Sequence, residues 1–289
     1  MTEPKEQSEL FRVEGISYRY DDRYLALNDV SLSFRAGEMV AILGSNGAGK
    51  STFFLCCNGV LRPQSGTIFL HGQEVSKSKK DITRQRQAVG LVFQDPDSQI
   101  IAGSVESEIS FGPLNLGLSN QEVEQRVEES LEQMDIVRYR DYAPQYLSGG
   151  EKKRVSIADI FAMHSEMILL DEPTASLDPK NAEALERILI GLSQVGIAIV
   201  ISTHDVDFAY RVAERVVVFA EGQVIADASA DQVFASAEVL SRAGLKQPLL
   251  FAAWQILVRE NPSLSSKPWP RTIEQFELLA ASVNSRAAG

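Results

Sequence analysis

The segment Gly44-Ser45-Asn46-Gly47-Ala48-Gly49-Lys50-Ser51-Thr52 limits what this chain can fold into more than any other stretch. It fits G-x-x-x-x-G-K-[ST] in full. Its glycines let the backbone curl so that successive N–H groups point inward and form an anion nest. The positive N-terminal end of a following helix adds to that nest. The flanks agree: Met39–Leu43 is an apolar run of buried-strand type, and Lys50–Asn58 has helical character. Strand, phosphate loop and helix in that order belong to an α/β sheet. In such a loop Lys50 reaches the β- and γ-phosphates of a nucleotide, and the Ser51 hydroxyl is placed to ligate Mg2+.

The pattern by itself is shared by kinases, GTPases, motors and transport ATPases, so the rest of the chain has to decide. Phe11–Tyr20 and Val30–Phe34 read as strands joined by a turn at Asp21-Asp22-Arg23, and Thr67–Leu70 and Val89–Phe93 as two more. Met167–Leu170, Ile197–Ser202, Val216–Phe219 and Val224–Ala226 follow, with helices between them. Strands alternating with helices argue for a parallel sheet. In the middle, Ser104–Phe111 and Asn120–Met134 have helical spacing, and Val123, Val127, Leu131 and Met134 form one apolar stripe. The expected organisation is a disordered lead-in over residues 1–9 and a nucleotide-binding domain over 10–240, with a helical insertion at about 95–160. A short C-terminal helical extension over 241–289 completes it, with amphipathic helices at Leu249–Val258 and Ile273–Val283 around a Pro- and Ser-rich linker, Asn261–Arg271.

Composition excludes several classes. With 28 Lys and Arg against 39 Asp and Glu, the formal charge is −11, which disfavours sequence-independent nucleic-acid binding. No apolar run reaches the roughly 20 residues that span a bilayer, and the polar start MTEPKEQSEL is not a secretory signal. The 2 cysteines, Cys56 and Cys57, are adjacent, which rules out a disulfide framework and reads as two small apolar residues of a cytosolic helix.

Two further motifs carry chemistry. Ile168-Leu169-Leu170-Asp171-Glu172 is an apolar run ending in two carboxylates, and α/β sheets place ligands at such strand ends. Asp171 would face the Mg2+ shell; Glu172 would polarise a water attacking the γ-phosphate. In Leu147-Ser148-Gly149-Gly150-Glu151, Ser148 is a good N-cap and the glycines leave backbone N–H groups bare at a helix start. That arrangement suits a second phosphate, or simple capping.

With these motifs in this order, the chain resembles the nucleotide-binding subunit of an ABC (ATP-binding cassette) ATPase over about residues 10–235. The family signature is usually LSGGQ; Glu151 replaces the Gln. The resemblance implies an α/β P-loop NTPase cassette, with a RecA-like core, an antiparallel β subdomain and a helical insertion subdomain. It implies ATP and Mg2+ as cofactors and ATP hydrolysis as the activity. Tyr20 would stack on adenine, with Tyr18 as the substitute, while Ser51, Gln94 and Asp171 would hold Mg2+. Glu172, His204 and Gln94 would be the catalytic set, and Ala175-Ser176-Leu177-Asp178 the D-loop. In the family, the SGG of one subunit (here Ser148, Gly149, Gly150) caps the nucleotide held by the other, so two ATP molecules are sandwiched in a head-to-tail dimer. A symmetric homodimer is the simplest form; a heterodimer with a close relative is the alternative.

Gln94-Asp95-Pro96-Asp97-Ser98-Gln99 and the stretch Ser110–Leu118 look like the subfamily that powers energy-coupling-factor importers, which take up cobalt, nickel or vitamins. Ser202–Asp207 and the tail at about 239–257 lean to the cobalt and nickel branch, with a vitamin importer as the alternative. This implies a transmembrane scaffold subunit and a small membrane substrate-binding subunit as partners, at the cytoplasmic face of the membrane. A soluble ABC ATPase acting on nucleic acid or ribosomes is the rival reading; the coiled-coil insertion, tandem cassettes or basic face expected of it are not evident. Ile100, Ile101, Val105, Ile109 and Phe111 either line a groove for a partner's coupling helix or form core. His71 and His164 read as isolated, Lys77–Lys80 as a solvated loop, and Trp254 and Trp269 as packing residues of the tail.

Overall fold

Two sheets of different character meet at the phosphate loop. The computed structural model describes residues 9–21 and 24–287, with side chains as far as Ala281. The chain runs β1 (Glu9–Tyr20), β2 (Tyr24–Arg35), β3 (Met39–Leu43), α1 (Lys50–Asn58), β4 (Ser65–Leu70), β5 (Gln73–Glu74), α2 (Lys79–Ala88) and β6 (Val89–Val92). Then come α3 (Val105–Asn115), α4 (Asn120–Gln133), α5 (Gly149–Ala162), β7 (Met167–Asp171), α6 (Pro179–Gln194), β8 (Ala198–Ser202), α7 (Val206–Val212), β9 (Arg215–Ala220) and β10 (Gln223–Ser229). The C-terminal part holds α8 (Ala230–Ala235), α9 (Ala237–Ala243), α10 (Leu249–Glu260) and α11 (Ile273–Ala287).

The first sheet is antiparallel, in the order β2-β1-β4-β5. The second has the order β10-β9-β3-β8-β7-β6 and is parallel except for β10 at its edge. Every residue of β3, β6 and β8 is buried, as parallel strands with helices on both faces require. One apolar cluster joins one face of this sheet to α3, α4, α5 and α6, and a second joins the other face to α1 and the antiparallel sheet. The fold is thus the α/β cassette with an antiparallel sheet and a helical insertion. Among the described residues no helix is long and apolar enough to cross a membrane.

The insertion is seated by specific contacts. Ser119 and Glu122 form a capping box at the start of α4, and its stripe Val123, Val127, Leu131 and Met134 is buried. Helix α5 lies so close to β6 that a Cβ at Gly90 would overlap Ile160 Cγ2. The apolar set near α3 divides: Val105 and Ile109 are fully buried core and Ile100 packs against it, whereas Ile101 and Phe111 are exposed. Between α3 and α5, the carboxyl of Asp159 lies against Gly112, and burial, aided by the charge of Glu108, pushes its pKa up to about 7.

The tail packs onto the cassette through aromatic rings. Trp269 stacks on Phe251 at 4.3 Å, and Phe251 meets Tyr210 of α7 edge-on at 5.5 Å. Trp254 is fully buried. Such ring pairs contribute about 0.5–1.5 kcal/mol each beyond their burial. The Leu249 N–H donates to Asp207 Oδ1 at 2.7 Å, so α10 is fastened to the start of α7.

Three details differ from the sequence reading. β1 begins at Glu9, and residues 1–8, the rest of the expected lead-in, lie outside the described residues, as do Asp22 and Arg23 of the expected turn. β2 begins at Tyr24 rather than Val30. Lys79 and Lys80 open helix α2, capped by Ser78, instead of extending a loop.

Two stability predictions follow from the insertion. Gly90→Ala should cost about 1–3 kcal/mol in chemical denaturation through overpacking, and Ile160→Ala in the same chain should recover part of that loss. Asp159 binds its proton more tightly folded than unfolded, so stability should fall as pH rises from about 4 to about 7. Asp159→Asn should flatten that slope in melts across the same pH window.

Candidate active site

The phosphate loop connects β3 to α1, and its shape is imposed from both sides. Gly44, Gly47 and Gly49 have φ of 148°, 79° and 105°, a region other residues avoid. A Cβ at Gly44 would overlap the Phe219 carbonyl oxygen of β9, and one at Gly49 the Ala26 carbonyl oxygen of β2. The loop is therefore gripped between the two sheets. The Gly222 N–H donates to Ala48 O at 3.1 Å, and Asn28 N–H to Gly222 O at 2.9 Å, closing the grip. Lys50 is buried, and its Nζ donates to Gly44 O at 2.7 Å and Ser45 O at 3.2 Å. Burial holds its pKa below the usual lysine value, against the opposing pull of Glu172 and Asp171.

The carboxylates stand at the C-terminal end of β7. Asp171 accepts from Ser51 Oγ at 2.7 Å and from Ser202 Oγ at 2.6 Å, so both of its oxygens are held. Glu172 is buried, with φ of 45°, a left-handed backbone that is costly for a non-glycine residue. Three bonds fix it there. Its N–H donates to Ser202 O at 2.9 Å, while its side chain accepts from Thr203 Oγ1 at 3.2 Å and pairs with His204 Nδ1 at 2.8 Å. That contact uses Nδ1 and leaves Nε2 for another partner. The His204 side chain is 71% exposed and able to meet one.

These groups share one cleft, lined by Tyr24, Asn46 to Thr52, Gln94, Asp171 and Glu172. A neighbouring cavity is lined by Gly44, Ser45, Asn46, Gln94, Glu172 and His204 together with Gly244, Leu245 and Lys246 of the tail. Tyr20 lies outside the lining, its hydroxyl 3.4 Å from Thr52 Oγ1 and its ring edge-on to Tyr18. The aromatic residue in the lining is Tyr24, the cross-strand partner of Tyr20, whose hydroxyl donates to Gly47 O at 2.7 Å. Sequence reading missed Tyr24, because only hairpin register brings it to the loop. It also missed the tail residues, which no motif marks.

Ser148, Gly149 and Gly150 are not in the cleft lining; Ser148 and Gly149 are exposed at the start of α5. Glu151 closes a capping box there, accepting from Ser148 N–H at 2.8 Å and from the Tyr139 hydroxyl. A carboxylate serves this position as well as an amide does. Ser176 of the stretch Ala175–Asp178 has φ of 63°, and Asp178 caps α6. Among the described residues no group of His, Cys, Asp and Glu suits a transition metal, and His71 pairs with Glu166 at 3.1 Å. A hard divalent cation is a different case. Ser51 Oγ and the Asp171 carboxylate put oxygen donors side by side at the phosphate loop, which fits Mg2+ held jointly with phosphate oxygens.

Lys50→Ala should weaken nucleotide binding by about 1.5–3 kcal/mol, the range for hydrogen bonds to charged groups, in calorimetric titration. Because the Lys50 pKa is lowered, the parent's affinity should start to fall at a lower alkaline pH than an ordinary lysine would give. The Ala variant should lack that limb.

Comparison with known proteins agrees with this fold. The ABC transporter family matches residues 27–175. An energy-coupling factor transporter ATP-binding protein EcfA of Methanothermobacter thermautotrophicus is 46% identical over 239 residues, 83% of this chain and 77% of that one. A cobalt import ATP-binding protein CbiO of Rhodobacter capsulatus is 45% identical over 263 residues, 91% of this chain and 94% of that one. Among solved structures, CbiO1 of Clostridium perfringens, part of the ABC transporter complex CbiONQ, superposes with a TM-score of 0.75 at 37% identity, covering 86% of this chain and 100% of that one. A dimeric ATP-binding cassette in a post-hydrolysis state with ADP and Pi gives 0.68 at 27% identity, over 76% of this chain and 99% of that one. The chain belongs to the ABC transporter family and is an ATP-hydrolysing subunit akin to EcfA and CbiO.

Proposed function

We propose that two copies of this chain, or one copy and a close paralogue, bind MgATP head to tail and hydrolyse it to drive uptake of cobalt or nickel ions. The observation that carries the dimer is the separation of the parts. Lys50, Ser51, Asp171 and Glu172 share a cleft, while Ser148 and Gly149 stand exposed outside it and are free to cap the nucleotide of another copy. The solved cassette dimer with ADP and Pi supports a dimer.

In this reading the loop N–H groups and Lys50 hold the β- and γ-phosphates, and Tyr20 or Tyr24 flanks the base. Ser51, Asp171 and Gln94 would hold Mg2+, which supplies positive charge to the phosphate oxygens. Glu172 takes the proton of the attacking water, aligned by Gln94. His204, oriented through its Nδ1 contact with Glu172, donates from Nε2–H to the γ-phosphate. The partners are a transmembrane scaffold and a small membrane subunit that selects the solute, at the cytoplasmic face of the membrane. Exposed Ile101 and Phe111 offer the scaffold an apolar foothold next to the Gln94 segment. The CbiO relative, a cobalt import ATP-binding protein, supports the metal-ion reading, and the CbiO1 neighbour supports membership of an ABC transporter complex. The EcfA relatives favour a second reading, the same role in another energy-coupling-factor importer such as one for a vitamin.

Glu172→Gln should bind ATP normally and lose about 100- to 10,000-fold in turnover, the usual contribution of a general base. It should also accumulate as an ATP-dependent dimer in light scattering. Normal hydrolysis by that variant would remove Glu172 from the role. The transport reading is tested by purifying the tagged chain from its native membranes. Co-purification of a multi-span scaffold and a small membrane subunit is expected; recovery with ribosomes or nucleic acid would contradict it.

A further inference from the structure

Lys153 is 2% exposed and lies one turn into α5 from the exposed Ser148-Gly149 tip. Its Nζ donates to the backbone carbonyls of Phe93, at 2.8 Å, and Gln94, at 2.6 Å. Both partners are uncharged, and burial lowers its pKa to about 8, against the raising influence of Asp95 and Asp171. A buried ammonium bound only to carbonyls is a costly way to stabilise a helix, since burial penalises a charge without a counter-ion. What it does achieve is a direct link between two functional segments. Neighbouring contacts run along the same seam. Gln99 accepts from the Phe93 N–H at 3.1 Å, Lys152 Nζ meets Asp97 Oδ1 at 2.6 Å, and α5 touches β6 at Gly90. Lys153 is the link that reaches the residue lining the cleft.

We propose that Lys153 is a positioning residue that couples the two ATP sites of the dimer, by making the signature tip of α5 and the Gln94 segment of the same chain move as one body. The inference rests on the head-to-tail reading above. There, the tip of α5 closes on the partner's nucleotide, while Gln94 works at this chain's own. When Ser148 and Gly149 engage the partner's ATP, α5 shifts, and Lys153 carries the Gln94 backbone with it. Occupation of one site then aligns the water-positioning residue of the other. Coupling between sites of this kind commonly amounts to about 5- to 150-fold in affinity.

The test uses the full chain, comparing the parent with Lys153→Met, which keeps the length and removes the donors, and Lys153→Arg, which keeps a charged donor. ATP hydrolysis is followed against ATP concentration, alongside melting temperature and binding of a fluorescent ATP analogue under dilute, monomeric conditions. The parent should give a Hill coefficient above unity. Lys153→Met should lower it to unity and reduce kcat, with the monomer's nucleotide affinity unchanged; Lys153→Arg should restore part of the cooperativity. A Lys153→Met chain that melts like the parent and keeps its Hill coefficient would overturn the coupling. If Lys153→Met fails to fold, Lys153→Gln, with one donor group, should show a reduced Hill coefficient, and parental cooperativity there would overturn the proposal equally. The dimer reading is monitored separately through the ATP-dependent dimer of Glu172→Gln. Its absence would sink that reading and the coupling with it. A dimer that forms while the parent hydrolyses without cooperativity would sink the coupling alone.

Discussion

The phosphate loop passes two carbonyl oxygens, those of Phe219 and Ala26, so closely that only glycine fits at Gly44 and Gly49. The rest of the cassette is arranged around that double contact. One oxygen belongs to the parallel sheet and the other to the antiparallel sheet, so the loop is also the joint between them. In the same curl the carbonyls of Gly44 and Ser45 hold Lys50. A buried lysine with depressed pKa, satisfied only by carbonyls, is prepared for an anion that offers more. The proposed function makes nucleotide phosphate that anion.

Opposite this cation, β7 ends in Asp171, Glu172 follows it, and the two acids are held differently. Asp171 is tied to Ser51 and Ser202, which holds it beside the loop. Glu172 has a left-handed backbone and is fixed by Thr203 and His204 just past the end of β8. In the proposed function these adjacent residues take separate tasks, one toward the cation position and one toward attacking water. The His204 segment is in turn fastened to the tail through Asp207 and Leu249, and tail residues Gly244 to Lys246 line the cavity beside it. The C-terminal helices are thus mechanically continuous with the catalytic end of the sheet.

Much of this was legible in the sequence where chemistry is local. The loop, the acidic strand end and the SGG helix start are short local patterns, the last of which takes its expected role from the family resemblance, and β3, β7 and β8 announce themselves as apolar runs. Long-range placement was not legible. Helix α2 buries only Gln85 and Ala88, so it carries no apolar stripe to read. Tyr24 reaches the loop through hairpin register, and Lys153 reaches Gln94 across the packing of α5 on β6. Glu151 looked like a departure from the family signature; at the third position of a capping box a carboxylate does the same work as an amide. The set near α3 split between core and surface because Val105 and Ile109 face α4 and α5 while Ile101 and Phe111 do not share that face.

The central claim is that the site is completed by a second copy. The most direct measurement mixes one chain carrying Asn46→Cys with another carrying Ser148→Cys, so that any cross-link must be intermolecular. Both positions are exposed, and the native Cys56 and Cys57 are buried with pKa values pushed up by burial, so they stay out of the reaction. The account predicts a cross-linked heterodimer that forms with ATP and not without nucleotide. Failure to cross-link with ATP bound, in chains that still bind it, would contradict the account.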